Sequence, residues 1–230
     1  LPWKKLQEIL TQYVHLLPPA EARDVYMSAI NFAIRRHNAG ERDYTQDALD
    51  LYRDALAKGI LTENGLLPKY TFLNIFNLAQ LAGASEWALV FLEHDLQLLP
   101  EEDRLFAHRY CLATYHFRQG HYLAVLDLLS SVEFSEVFIN LDARKMLLRS
   151  YFELNEWQAL ASLLTSFRIY LKRQHDIGYH REGYLNLIRF TKKLARAKQL
   201  TRARRKTIAA QIQQAKFVSE REWLLEKVAG

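Results

Sequence analysis

The stretch HRYCLATYHFRQGH, residues 108–121, holds three histidines and the only cysteine of the chain. Imidazole and thiolate together are the donor set of a zinc site, so their spacing decides what chemistry is open to them. His108 and Cys111 are three residues apart and share one face of a helix. Five residues separate Cys111 from His116, about 500° of helical rotation, which leaves His116 roughly 140° away from Cys111. His121 lies beyond Gly120 on the next element. The short paired spacing of a zinc finger is missing, and a lone free cysteine packs as a small hydrophobe. The stretch is therefore expected to hold no metal. A second set, His175, Asp176 and His180 in RQHDIGYHREG, has side chains able to bind a metal or relay protons. No further ligand cluster accompanies it, and a solvated turn between helices is the expectation. Nucleophile elbow, phosphate loop and HExxH signatures are all missing from the sequence. The chain is expected to work without a cofactor and not as an enzyme.

The elements that must position these residues are helical. Half of the residues are hydrophobic, enough to build a core, while glycine (8) and proline (5) are sparse and sit mostly between periodic stretches. In NLDARKMLLRSYFEL, Ala143, Met146, Leu147, Tyr151 and Leu154 recur at steps of three and four, one helix face. Leu148 and Phe152 add a second apolar line, as a helix with two neighbours requires. The phrases LLPPAEAR (16–23), LLPKYTF (66–72) and LLPEEDRLF (98–106) each read as a helix start, with proline and acids suited to the first turn. The pattern predicts helices over about 3–17, 20–38, 44–58, 68–82, 84–98, 101–119, 121–131, 135–154, 156–174, 178–198 and 200–227. Ser219 and Glu222 have capping-box spacing, so the last of these is expected to break there.

Repeated helix starts call for a search for internal repeats, and one emerges at a period of 35 residues. YHFRQGHYLAVLDLL (115–129), SYFELNEWQALASLL (150–164) and AQLAGASEWALVFLE (79–93) align. Gly120, Asn155 and Ser85 share the turn, Tyr122, Trp157 and Trp87 follow, then Val125, Leu160 and Val90, with Leu129 and Leu164 closing two of the units. This pattern resembles the tetratricopeptide repeat, whose period is 34 residues. Leu112, Ala113, Gly120, Tyr122, Leu129 and Pro100 carry the resemblance, over roughly residues 68–175. The family's small residue in the second helix is replaced by Val125, Leu160 or Val90, and its aromatic before the turn is His116 in one unit and Tyr151 in the next. NLDARKMLLRSYFELNEWQALASLLTSFRIYLKRQ is also similar to uncharacterised bacterial repeat proteins. The resemblance implies an all-α, right-handed superhelical stack of helix hairpins, a tetratricopeptide-like solenoid. On this reading residues 1–230 form one repeat domain, with units at about 68–100, 101–134 and 135–175 and basic helices at about 178–227. The chain begins at Leu1 without an initiator methionine, and a piece of a longer protein is expected.

Solenoids bind partners along the concave groove lined by the first helix of each pair. By the resemblance, those positions are Tyr110, Thr114, Phe117 and Arg118 in one unit and Lys145, Arg149 and Phe152 in the next. Arg118, Lys145 and Arg149 would form a cationic strip, and arginine grips a carboxylate by two parallel hydrogen bonds. An acidic peptide or partner protein is the expected ligand, unless Asp142 or Glu153 neutralises the strip. The second charge feature is the basic run KKLARAKQLTRARRK. Residues 165–216 hold 14 Lys or Arg against two acids, a local charge of +12, whereas the rest carries 17 basic and 24 acidic residues, −7. Lys192, Lys193, Arg196, Lys198, Arg202, Arg204, Arg205 and Lys206 make the alternative reading a nucleic-acid- or ribosome-associated module. No aromatic side chain interrupts residues 191–216 to stack a base, which argues against single strands. No apolar run is long enough to span a membrane, the opening LPWKKLQEIL lacks a signal-peptide core, and a single cysteine permits a cytoplasmic setting.

Overall fold

The computed structural model describes residues 2–132, 136–175, 177–178, 180–195 and 201–229. All regular structure among them is helical. Only one isolated antiparallel bridge occurs, between Glu63 and Leu66. The chain divides into two compact units, Leu1–Tyr115 and His116–Gly230.

The first unit contains α1 (Pro2–Tyr13), α2 (Pro19–Asn38), α3 (Asp43–Ala57), α4 (Lys69–Leu81), α5 (Ser85–Asp95) and most of α6 (Glu101–Arg118). Short 3-10 turns at Val14–Leu16 and Leu96–Leu98 follow α1 and α5. In sequence order α2 packs on α3, α3 on α4 and α4 on α5. Tyr26, Tyr52, Phe72, Phe76 and Phe91 are fully buried there. The Tyr26 hydroxyl donates to Asp54. The three LLP phrases do precede helices: in α2 Pro19 takes the first turn with Pro18 as the cap, whereas Pro68 occupies the cap just outside α4. The carbonyls of Pro18 and Pro68 receive the amides of Ala22 and Phe72. Pro100 precedes α6, whose first turn holds Glu101, Glu102 and Asp103. Asp103 takes a hydrogen bond from Lys69 Nζ at 2.7 Å.

The second unit contains the end of α6 and α7 (Tyr122–Leu129), α8 (Val137–Glu153), α9 (Trp157–Arg173), α10 (His180–Ala195), α11 (Arg202–Gln214) and α12 (Arg221–Ala229). Neighbours pack as α7 on α8, α8 on α9 and α9 on α10, while α12 contacts both α10 and α11. Its core joins Leu141, Leu148, Phe167, Leu187, Phe190 and Trp223. The helix expected over 200–227 breaks as its sequence suggested. Glu220 takes a left-handed conformation (φ 54°), and Arg221 folds back on the end of α11. Its guanidinium donates to the carbonyls of Ile212 (2.7 Å), Gln213 (2.9 Å) and Ala215 (2.5 Å). A cation on the last carbonyls satisfies groups that have no partner within the helix.

The hairpin turns share one device. After α4, α6 and α8 a left-handed residue is followed by an amide reaching back five residues. Ala84 donates to Ala79, His121 to His116 and Glu156 to Tyr151, each at 2.9 Å, with Gly83, Gly120 and Asn155 at φ 76°, 74° and 60°. This is the Schellman arrangement. It corrects one register of the sequence alignment. Gly83, not Ser85, is the counterpart of Gly120 and Asn155, and Ser85 is the first residue of α5. Val90, aligned with Val125 and Leu160, is 53% exposed, whereas Ala88 is fully buried like Val125. The first of the three aligned stretches is thus shifted by two residues, with Ala88 at its buried position.

A Cβ built on Gly83 meets nothing within 4 Å, so backbone conformation alone sets the effect of adding one. Gly83→Ala is expected to cost about 1–2 kcal/mol. Asn155→Gly should be neutral or mildly stabilising. Urea midpoints of the two variants check this, and an equal loss in both would refute the assignment of strain to the turn.

Candidate functional site

Of the positions expected to line a groove, those on α8 meet another part of the same chain. Lys145 and Arg149 are four residues apart, so a helix of 3.6 residues per turn stacks them on one face. Asp142 lies one turn before and Glu153 one turn after. Opposite stands the segment linking α11 to α12. It is held along α10 by two hydrogen bonds, from the Ser219 amide to the Gly183 carbonyl (3.2 Å) and from Asn186 Nδ2 to the Phe217 carbonyl (2.8 Å). The left-handed backbone at Glu220 then turns its carboxylate onto the α8 cations. Arg149 donates to Glu220 Oε2 at 3.0 Å, and Lys145 Nζ is 3.8 Å from Oε1. Lys145 also pairs with Asp142 at 2.5 Å.

Aromatic rings enclose Arg149. Its guanidinium lies 5.1 Å from the ring centre of Phe117, 5.7 Å from that of Trp223 and 6.0 Å from that of Tyr122. Such faces attract a cation. Phe152 packs edge-on against Trp157 (5.5 Å) and Trp223 (5.2 Å). Glu153 joins α8 to α12 by accepting from Trp223 Nε1 (2.5 Å) and Lys227 Nζ (2.6 Å).

The electrostatics follow from these contacts. Burial disfavours the Lys145 ammonium, but Asp142 and Glu220 outweigh it and hold the group above its usual value. Burial likewise opposes the charge on Arg149, and hydrogen bonding to Tyr122 and Glu220 reverses the balance upward. Tyr184, beside the same cluster, is pushed up to about 12 by burial and by Asp142, with Lys145 pulling the other way. Both cations thus stay charged under ordinary conditions, each already facing a carboxylate. Beside Arg149 lies an open cavity of about 380 Å³, lined further by Glu220, Arg221, Glu222, Trp223 and Glu226.

The other sequence-predicted residues are distributed as follows. Tyr110 and Thr114 are buried in α6, and the Thr114 hydroxyl donates to the Tyr110 carbonyl at 2.9 Å, so neither offers the open side chain that a groove residue needs. Phe117 is half-buried under Arg149, and Arg118 is exposed at the end of α6. In the basic strip, Lys192, Arg202, Arg204 and Lys206 are exposed. Lys193 donates to Gln211 (2.6 Å) and Arg205 to the Val228 carbonyl (3.0 Å). Arg196 and Lys198 lie outside the described residues, as does Asp176. Sequence reading missed Glu220 and Trp223. Only the predicted break at Ser219 hinted that this segment does something other than continue a helix.

Cys111 is buried, which pushes its thiol well above the usual value. The His116 and His121 rings approach at 3.4 Å between Nδ1 atoms. Partial burial and the facing His121 lower the pKa of His116. His175 is exposed, and His180 meets Phe138 edge-on at 5.5 Å. Among the described residues no group of three or more His, Cys, Asp or Glu is placed to hold a metal ion. No helix among them is long and apolar enough to cross a membrane.

The fold therefore defines an all-α protein. No family model, no curated protein and no solved structure matches the chain.

Proposed function

We propose that this chain is a tetratricopeptide-like repeat scaffold that binds a partner protein or acidic peptide through the cationic face of α8, without catalysis or cofactor. The packing of α2–α5 and of α7–α10 on their sequence neighbours, and the common turn closing α4, α6 and α8, support the repeat reading. A right-handed superhelix and a cytoplasmic setting belong to the same proposal. The observation that carries the binding reading is that Lys145 and Arg149 already grip a carboxylate, that of Glu220. In this reading Glu220 stands where a partner's acid would sit, and the partner displaces it. Charge-assisted hydrogen bonds of this kind contribute about 1.5–3 kcal/mol, so internal occupancy weakens binding without abolishing it.

The experiment is a screen of acidic peptides with free C-termini against three purified chains. Glu220→Gln is expected to bind the selected peptides roughly tenfold more tightly than the unaltered chain, as the removal of a competitor of that strength implies. A Lys145→Met, Arg149→Met double variant should bind none, with circular dichroism confirming that it is folded. A failure of Glu220→Gln to capture any peptide would sink the assignment.

A further inference from the structure

The strongest charge feature of the second unit lies away from α8. We infer that α11 is a DNA-docking helix, its outer face seated in the major groove of a duplex and the neighbouring cations on the phosphates. None of the peptide-site residues takes part, so either site can fail without the other.

The packed face of α11 is narrow. Ile208 and Ile212 are buried in the core, and Arg205 is tied to the Val228 carbonyl. The opposite face presents Ala203, Lys206, Thr207, Ala210, Gln213 and Gln214, all exposed. These positions follow one another at helical spacing and include no acid. Arg202 and Arg204 are also exposed on α11, and Arg189 and Lys192 are exposed on α10. The Lys193–Gln211 hydrogen bond (2.6 Å) ties the end of α10 to α11. None of Arg189, Lys192, Arg202, Arg204 and Lys206 has a carboxylate partner among the described residues. Arg189 only lies over the ring of Phe190 (4.4 Å). Cations gathered without neutralising acids attract a polyanion.

Three features select duplex DNA among polyanions. The last large hydrophobic side chain exposed along the described chain is Ile169. Among the described residues of α10–α12 the aromatic side chains are buried or half-buried, Tyr184 and Phe217 being the half-buried ones, so little is offered as aromatic anchors of a protein interface, as the apolar wedge of a membrane-binding helix or as a stacking platform for single strands. Second, Ala203, Thr207 and Ala210 are small, so the helix backbone can approach a groove floor closely. Lys206, Gln213 and Gln214 supply the donors and acceptors that read base edges, glutamine being suited to adenine and lysine to guanine. Third, an α-helix fits the wide major groove of B-form DNA but not the deep, narrow one of A-form RNA.

Fluorescence anisotropy with a mixed-sequence DNA duplex of about two helical turns tests this. Binding is expected to weaken steeply between about 50 and 200 mM salt. Arg202→Glu, Arg204→Glu, Lys206→Glu in one chain should weaken it about a hundredfold. The glutamine version should make the log–log salt slope shallower by about 2.7, roughly 0.9 for each phosphate left without its cation. All three side chains are exposed, and circular dichroism checks that both variants fold. Charge reversal of Arg168 and Lys172 on α9 is the comparison, expected to change affinity by no more than about threefold because of screening. The inference is overturned by any of four results: no binding at the lowest salt, equal binding by the α11 variant, tighter binding of RNA duplex or single-stranded DNA, or binding only to vesicles of phosphatidylserine.

Discussion

Replacing Phe167 by alanine is expected to destabilise the second unit by about 3–5 kcal/mol, the range for emptying a fully buried aromatic site. That is a large fraction of the roughly 5–15 kcal/mol that holds a domain folded, so the unfolding midpoint of the unit should fall markedly. Phe167 is fully buried in α9, the helix that packs on both α8 and α10. Tyr184 of α10 meets its ring at 5.5 Å. From α8, the Arg144 guanidinium lies 6.0 Å from its centre and 4.7 Å from that of Tyr170, steadied by a 2.6 Å hydrogen bond to Asn140. Removing the ring opens a cavity that the three helices cannot close without moving together. Phe167→Leu keeps most of the volume and should cost less than half as much. Urea unfolding followed by tryptophan fluorescence and far-UV circular dichroism measures both. A loss below about 1 kcal/mol for Phe167→Ala would contradict the packing of α9 between its neighbours.

Why the helices were legible and the site was not follows from the range of the forces involved. Helix ends are fixed by local chemistry. Gly120 and Asn155 reach the left-handed conformation, and Leu-Pro before α2, α4 and α6 excludes helix one residue earlier. These signals sit within a few residues of what they determine. The slip at Ser85 and Val90 arose because a fixed period of 35 matched Trp87 to Tyr122 and Trp157 by aromatic type. Trp87 is instead two residues deeper in its helix, stacked on Phe91 at 5.4 Å with Arg53 above it at 4.3 Å. Gly83 and Ala88 were the better guides, since each meets a physical requirement of its position. The α8 cluster is different in kind. Helical spacing placed Lys145, Arg149 and Phe152 near one another and flagged Asp142 and Glu153 as neutralising acids. Asp142 does pair with Lys145, but Glu153 turns to Trp223 and Lys227, and Arg149 finds Glu220, 71 residues along the chain. Periodicity says which face a side chain occupies, not which distant segment will cover it.

Trp223 is where that covering segment is anchored, so Trp223→Ala is expected to act on stability and binding together. The side chain is buried in the core of the second unit, edge-on to Phe152, with its indole N–H on Glu153. Truncation should cost about 3–5 kcal/mol for the lost volume. Trp223→Phe keeps a ring against Phe152 and loses the hydrogen bond to a carboxylate, for about 1.5–3 kcal/mol. Glu153 keeps Lys227 in both variants, which limits the penalty of the unpaired oxygen. The less stable variant should also open locally before it unfolds globally, because α12 has few other buried anchors, chiefly Leu224 and Val228. Amide exchange across Arg221–Ala229 should accelerate in Trp223→Ala more than exchange in α9, and trypsin should cut sooner after Lys216 and Arg221. Glu220 immediately precedes α12, so loosening the helix removes the carboxylate from Lys145 and Arg149. Trp223→Ala should then share with Glu220→Gln the gain in affinity for acidic peptides, at a temperature where α8 remains folded. Faster exchange in α12 without that gain would separate the two ideas: the anchor would stand, and the α8 cations would serve only to hold α12 in place.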